Sequence, residues 1–160
     1  MEYKKNIVNV KVFSFSKLVK VISDQKRKKK RIILCHGVFD LMHIGHIKYF
    51  QEAKEMGDVL VVTITPDRFV NKGPNRPIFN ENLRAEAIAA LGMVDYISIN
   101  EWSSAIETIK ALKPELYVKG PDYKDYRQDL TGNIQLEEDA VKSVGGEIAF
   151  TSDITFSSSA

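Results

Sequence analysis

The chain has 160 residues, 44% apolar and 28% charged, enough to bury the core of one soluble globular domain. No apolar run approaches the roughly 20 residues that span a bilayer, and Met1–Val12 alternates charged and apolar residues without the hydrophobic stretch of a secretory leader. The net charge of +2 hides an asymmetry: Lys26–Arg31 is an unbroken basic run, and without it 17 basic residues face 21 acidic ones.

A basic run of this kind suits nucleic acid or an anionic membrane. It also suits the carboxyl end of a helix, where cations meet the negative end of the dipole. The run has no interleaved aromatics for stacking on bases, so the helix-end reading is preferred, with no nucleic acid and no membrane among the partners. Cys35 is the only cysteine. It cannot form an intrachain disulfide, and a reducing, cytoplasmic setting is expected.

In chain order, Val8–Phe15 reads as an extended lead-in. Leu18, Val19 and Ile22 line one face of a helix over Ser16–Lys30, with Ser16 as its cap. Ile32–Cys35 is apolar on both faces, as a buried parallel strand requires. A loop holding all three histidines follows, HGVFDLMHIGH from His36 to His46. A helix over Ile44–Met56 stops at Gly57, and Asp58–Ile64 is a second buried strand. Thr65–Phe79 contains Pro66, Gly73, Pro74 and Pro77 and must be a loop. Asn80 caps a helix to about Leu91, and Val94–Ile99 is the third strand. Ser104–Glu107 matches a capping box for a helix closed by Pro114. Glu115–Lys119 is the fourth strand, Gly120–Gly132 a polar loop, Ile134–Val144 a helix and Glu147–Thr151 the fifth strand.

Strand and helix alternate throughout, which predicts an α/β domain: a doubly wound, five-stranded parallel sheet of Rossmann-like type. Ligands of such sheets bind at the carboxyl ends of the strands, near the reversal of strand order. That rule gathers the loops His36–Ile44, Thr65–Phe79, Gly120–Gly132 and Ser152–Ser159.

Gly37 and Gly45 let backbone approach a ligand closely. His43 and His46 stand three apart at a helix start and share a face. A helix amino end offers free N–H groups and positive potential to phosphate. Lys72, Arg76 and Arg84 add positive charge from the next loop and helix. Asp40 is placed to cap backbone amides. Two histidines at this spacing also suit zinc, but the glycines and the helix start favour phosphate; no protein-held metal is expected. His36 reads as structural. Trp102 reads as a packing residue.

The segment CHGVFDLMHIGHIKYFQEAKEMGDVLVV resembles the H-x-G-H nucleotidyltransferase superfamily, in its cytidylyltransferase-like branch. GPNRPIFNENLRAEAIAALGMVDYI, LKPELYVKGPDYK and GGEIAF continue the resemblance, which covers nearly everything from Ile32 onwards. The NRPI and VKGPDYK segments are similar to the adenylyltransferase domain of the bifunctional heptose-phosphate kinase/adenylyltransferase. The helix after the histidines is equally similar to glycerol-3-phosphate and phosphoethanolamine cytidylyltransferases.

The resemblance implies a nucleotidyltransferase of the EC 2.7.7 type. It would transfer a nucleoside monophosphate from CTP or ATP to a small phosphorylated sugar or alcohol and release pyrophosphate, with Mg²⁺ accompanying the triphosphate. It implies His43, His46 and Lys72 as the catalytic group. Gly37, Val38, Phe39 and Gly45 would line the nucleotide pocket, Arg84 would support the phosphate end, and Gly120 and Asp122 would face base and ribose. Ser157 and Ser158 match the serine and threonine positions of the last motif. That motif departs from the family: SDITFSSS lacks the usual arginine, and only Ala160 follows it. Residues 1–30 are therefore expected to be a lead-in and helix, and 31–160 a nucleotidyltransferase domain cut before its terminal helix. A kinase domain in a longer parent chain and a homodimer are further expectations. A catalytically weakened nucleotide-binding or regulatory domain is the alternative. The nucleobase and the acceptor stay open, since backbone and loop residues such as Phe69, Trp102 and Tyr123 would read them.

Overall fold

The computed structural model describes residues 10–123 and 132–152. Its elements are α1 (Phe15–Arg27), β1 (Ile32–Gly37), α2 (Ile44–Glu55), β2 (Val59–Ile64), α3 (Glu81–Ala89), β3 (Tyr96–Ile99), α4 (Ile106–Leu112), β4 (Leu116–Lys119), α5 (Asn133–Ser143) and β5 (Glu147–Phe150). The sheet is parallel throughout, in the order β3-β2-β1-β4-β5. The order reverses between β1 and β4, which puts the crevice rule on the loops after those two strands.

The sheet is buried because both faces are apolar. Ile33 and Cys35 of β1 point into a core shared with Phe50 and Ala53 of α2 and Ala85 and Ile88 of α3. Ile32 and Leu34 point the other way, towards Leu18 and Ile22 of α1, Ile109 of α4 and Val141 of α5. A side-chain period of two with both sets apolar needs helices on both sides. Helix α1 belongs to this body: Leu18 and Ile22 are fully buried, and each such burial contributes about 1.5–3 kcal/mol. The lead-in extends the edge at β3, where the Phe13 N–H donates to Ile97 C=O at 2.9 Å.

Several element ends differ from the sequence reading by a residue or more, Val10 and Lys11 of the expected extended lead-in are helical, and three of the differences have a visible cause. The cap of α1 is Ser14, whose hydroxyl accepts from the Lys17 amide, while Ser16 is already inside the helix. The capping box at Ser104 does not form: Ala105 is the terminal residue and makes no side-chain cap. The Ser104 carbonyl instead accepts from the Asn100 side-chain amide, which also donates to Trp102 C=O and so ties the turn after β3. Strand β3 starts at Tyr96, because Val94 N–H is used to close the preceding turn on Leu91 C=O.

The basic run lies at the amino edge of the sheet, immediately before β1. Lys26 bridges Lys113 C=O and the Glu115 carboxylate, Arg27 pairs with Asp24, and Arg31 donates to Met56 C=O. No helix among the described residues is long and apolar enough to cross a membrane.

Candidate active site

The site begins where β1 ends. Phe39 has a left-handed backbone (φ 51°), and its ring folds back over Gly37. A Cβ at Gly37 would lie 2.9 Å from the Phe39 ring, so glycine makes room for an aromatic side chain. That ring rests on Phe50, centroids 5.1 Å apart, and meets the His46 ring edge-on at 5.8 Å. Phe39 is thus a wedge between the core and the histidine pair.

His43 is the cap residue of α2, and the two histidines complete a capping box. The Gly45 N–H donates to His43 Nδ1 at 3.0 Å, and the His43 N–H donates to His46 Nδ1 at 3.2 Å. A nitrogen that accepts carries no proton. Both neutral rings are therefore held as the Nε2–H tautomer, with Nδ1 committed to backbone. The rings lie 4.1 Å apart by centroid. His43 is exposed and His46 half-buried. Burial first, then electrostatic coupling to the neighbouring His43 and the charge of Lys72, hold the His46 pKa below its usual value. A Cβ on Gly45 would fall 2.6 Å from His43 Cε1. Here too the glycine makes space for a side chain, where the sequence suggested ligand approach.

His36 is apart from this pair. It is buried at the end of β1, with Nδ1 at 2.9 Å from Thr63 Oγ1 and Nε2 at 3.4 Å from Thr65 Oγ1. Burial, reinforced by the charge of Lys119, lowers its pKa to about 3. Burial likewise raises the Cys35 thiol to about 12, which makes it an inert core residue. Lys119, at the end of β4, acts electrostatically on both groups, and its Nζ lies 5.5 Å from the centroid of the Tyr117 ring. The sequence reading passed over it.

Lys72 stands on an exposed excursion, and its charge reaches His46. Arg84 is turned the other way. It is fully buried, and its guanidinium donates to Phe79, Val38 and Thr65 carbonyls and to the Asp67 carboxylate at 2.7–3.0 Å. The family resemblance implies that it supports the phosphate end. In the structure four of its hydrogen bonds are spent on protein, tying α3 to the loops after β1 and β2.

Val38 lies in the turn between Gly37 and Phe39 and hands its carbonyl to Arg84. Gly120 follows β4 with open space where a Cβ would be, and Asp122 is exposed on a 3₁₀ turn, Pro121–Tyr123. Ser157 and Ser158 lie outside the described residues. The chain leading towards them is anchored by a contact the sequence hid: the Glu52 carboxylate of α2 accepts from the Ser152 amide and hydroxyl at 2.9–3.0 Å. Trp102 packs edge-on against Phe15, with centroids 5.0 Å apart.

Fold and site define a class: a Rossmann-like α/β protein that presents a histidine-capped helix amino end at the reversal of its strand order. Comparison with known proteins narrows it. The sequence pattern of the cytidylyltransferase-like family matches residues 34–159, and the chain belongs to that family. Three proteins named bifunctional protein HldE are among its relatives. That of Nitratiruptor sp. is 44% identical over 69% of this chain and 24% of its own length. Those of Syntrophotalea carbinolica and Geobacter metallireducens are each 36% identical, over 80% and 92% of this chain and 25% and 29% of their own lengths. The chain thus spans about a quarter of the length of these relatives. A lipopolysaccharide core biosynthesis protein from Thermoplasma volcanium superposes with a TM-score of 0.65 at 29% identity, covering 79% of this chain and 99% of that one. Pantoate-beta-alanine ligase from Francisella tularensis shares the fold, with a TM-score of 0.62 at 19% identity over 89% of this chain and 66% of its own.

Proposed function

We propose that the protein is a nucleotidyltransferase moving a nucleoside monophosphate from CTP or ATP to a small phosphorylated sugar, with a phosphorylated alcohol as the other acceptor class. The observation that carries this reading is the histidine pair: two imidazoles at a helix amino end, each with Nδ1 tied to backbone and Nε2–H free to donate to phosphate. A phosphate oxygen of the acceptor attacks the α-phosphorus, the bond to the β-phosphate oxygen breaks, and pyrophosphate departs with that electron pair. Such a reaction asks for positioning and charge stabilisation more than proton transfer, and a locked Nε2–H donor supplies both.

In this reading His43 and His46 hold the triphosphate and the five-coordinate phosphorus. Lys72 neutralises the reacting phosphates. Gly37, Val38, Phe39 and Gly45 shape the pocket, Gly120 and Asp122 face base and ribose, and Ser157 and Ser158 donate to phosphate. Arg84 supports the phosphate end indirectly, by holding the two loops. We propose that Mg²⁺ accompanies the incoming nucleotide. When bound, it would neutralise triphosphate charge. The relatives' greater length and the word bifunctional in their names support a longer parent chain; the family resemblance adds a kinase domain and a sugar acceptor to this reading. The lone, buried Cys35 fits a cytoplasmic setting.

A pyrophosphate-release screen tests the proposal, crossing ATP, CTP, GTP and UTP with sugar 1-phosphates, glycerol 3-phosphate and phosphoethanolamine. Release that needs one nucleotide and one phosphorylated acceptor together is expected. Nucleotide binding by calorimetry with no release from any pair would overturn it in favour of a sensing domain.

A further inference from the structure

Lys72 has no fixed place of its own. Asn71–Arg76 is exposed, Gly73 and Asn75 have positive φ (101° and 62°), and among the described residues no hydrogen bond holds Asn71–Asn75. Among the described residues the excursion is fastened at its two feet. At the front, the Asp67 amide donates to Glu81, its carboxylate receives Arg84, and Val70 N–H closes back on Asp67 C=O. These bonds lead to α3. At the rear, the Ile78 and Phe79 amides both donate to the Asp40 carboxylate, at 2.8 and 2.9 Å, and Arg76 adds a third bond at 3.3 Å.

Asp40 lies three residues before His43. Its carboxylate therefore joins the loop of the histidine pair directly to the loop of the lysine. Its side chain is 8% exposed, and its two oxygens together accept three bonds from the Lys72 loop. Desolvation would raise its pKa, but the bonds from Phe79, Ile78 and Arg76 together hold it below the usual carboxylate value. The brace stays ionised at neutral pH. Arg84 makes a second link from inside, through Val38 and Phe79. It is the poorer handle, because its removal strands buried carbonyls.

We propose that Asp40 is a positioning residue for the transfer: by holding the rear foot of the Lys72 loop it sets where Lys72 stands relative to His43 and His46. This rests on the nucleotidyl-transfer reading. It explains how a flexible ammonium on an exposed arm serves a reaction in which about 1 Å of misplacement costs up to about 10²-fold in rate.

The test is a double-mutant cycle on pyrophosphate release in the full chain, with D40N, K72A and the double variant. Asparagine keeps the shape but turns an NH₂ towards backbone donors. D40N is expected to lower kcat/KM about tenfold, mostly in kcat, in the wild-type background and less than about twofold in the K72A background, since the two act as one unit. Amide exchange at Ile78 and Phe79 should quicken in D40N while the amides of His43 and Gly45 keep their protection. If D40N does not fold, R76A, which removes one bond of three, carries the same cycle with a smaller loss. Equal losses in both backgrounds, or full activity in D40N, overturn the proposal while leaving the function reading intact. Absence of release by the unmodified protein with every substrate pair removes both.

Discussion

The histidine loop and the Lys72 loop are built in opposite ways. The histidine loop is finished before any ligand arrives: Phe39 props His46 from below, Gly45 clears space for His43, and two backbone N–H groups fix both tautomers. The Lys72 loop is anchored at its ends and bare in the middle. A neutral imidazole has one useful donor and must be aimed. A lysine ammonium is a point charge on a long stem and needs only its base placed. The comparison assigns geometry to the first loop and charge to the second.

The largest effect expected is from His46→Ala, a loss in kcat of about 10²-fold or more, the scale for one transition-state donor. Steady-state pyrophosphate release measures it, and near-normal turnover would end the idea that the pair is aimed at the reaction. Next is Gly45→Ala. A methyl 2.6 Å from His43 Cε1 must push the ring aside, and a loss of about tenfold or more in kcat is expected from a protein that still melts cooperatively. Normal kcat in that variant would show that His43 need not sit where it does. Lys72→Ala is expected to cost about tenfold in kcat/KM, with the unmodified protein losing activity in high salt and the variant losing less, because an exposed charge is screened within about 10 Å at 0.1 M salt. Equal salt sensitivity in both proteins would contradict a charge role.

Two pH effects sharpen the contrast. His46 has its pKa lowered from 6.5. The contribution of His46 should therefore persist across neutral pH and fall only below 6.5, where a proton on Nδ1 would break the bond from His43 N–H; activity rising into acid would refute the neutral-donor assignment. His36 affects stability alone. Its folded pKa of about 3 lies under the ordinary 6.5, so the unfolded chain takes up the proton first. Stability is then full above about 6.5 and declines as pH falls towards about 3. Melting temperature against pH checks this, and His36→Asn should flatten that part of the slope.

The fold was legible in the sequence, because alternation of apolar strands with periodic helices carries fold class, and strand–turn–helix context makes a four-residue histidine motif a candidate site. What was not legible has a common cause in long-range packing. Ser14 and Ser16 are both good caps, and only the path of the lead-in along β3 chooses Ser14. Arg84, grouped with Lys72 and Arg76 as positive charge near the histidine loop, reads as a phosphate ligand until three carbonyls and Asp67 are seen to enclose it. Glu52 and Ser152 are 100 residues apart, and nothing local in either marks the contact. The glycines were found for an incomplete reason: chemistry near phosphate suggested backbone approach, while in the structure Gly37 and Gly45 make room for Phe39 and His43.

The most direct measurement follows the α-phosphorus itself. Phosphorus NMR of the protein with its best nucleotide and phosphorylated acceptor should show the α-phosphate entering a new diphosphate linkage as pyrophosphate appears. His46→Ala should still bind the nucleotide by calorimetry and yield almost no product. A protein that binds the nucleotide yet leaves the α-phosphorus unchanged with every acceptor, before and after that substitution, would contradict the account.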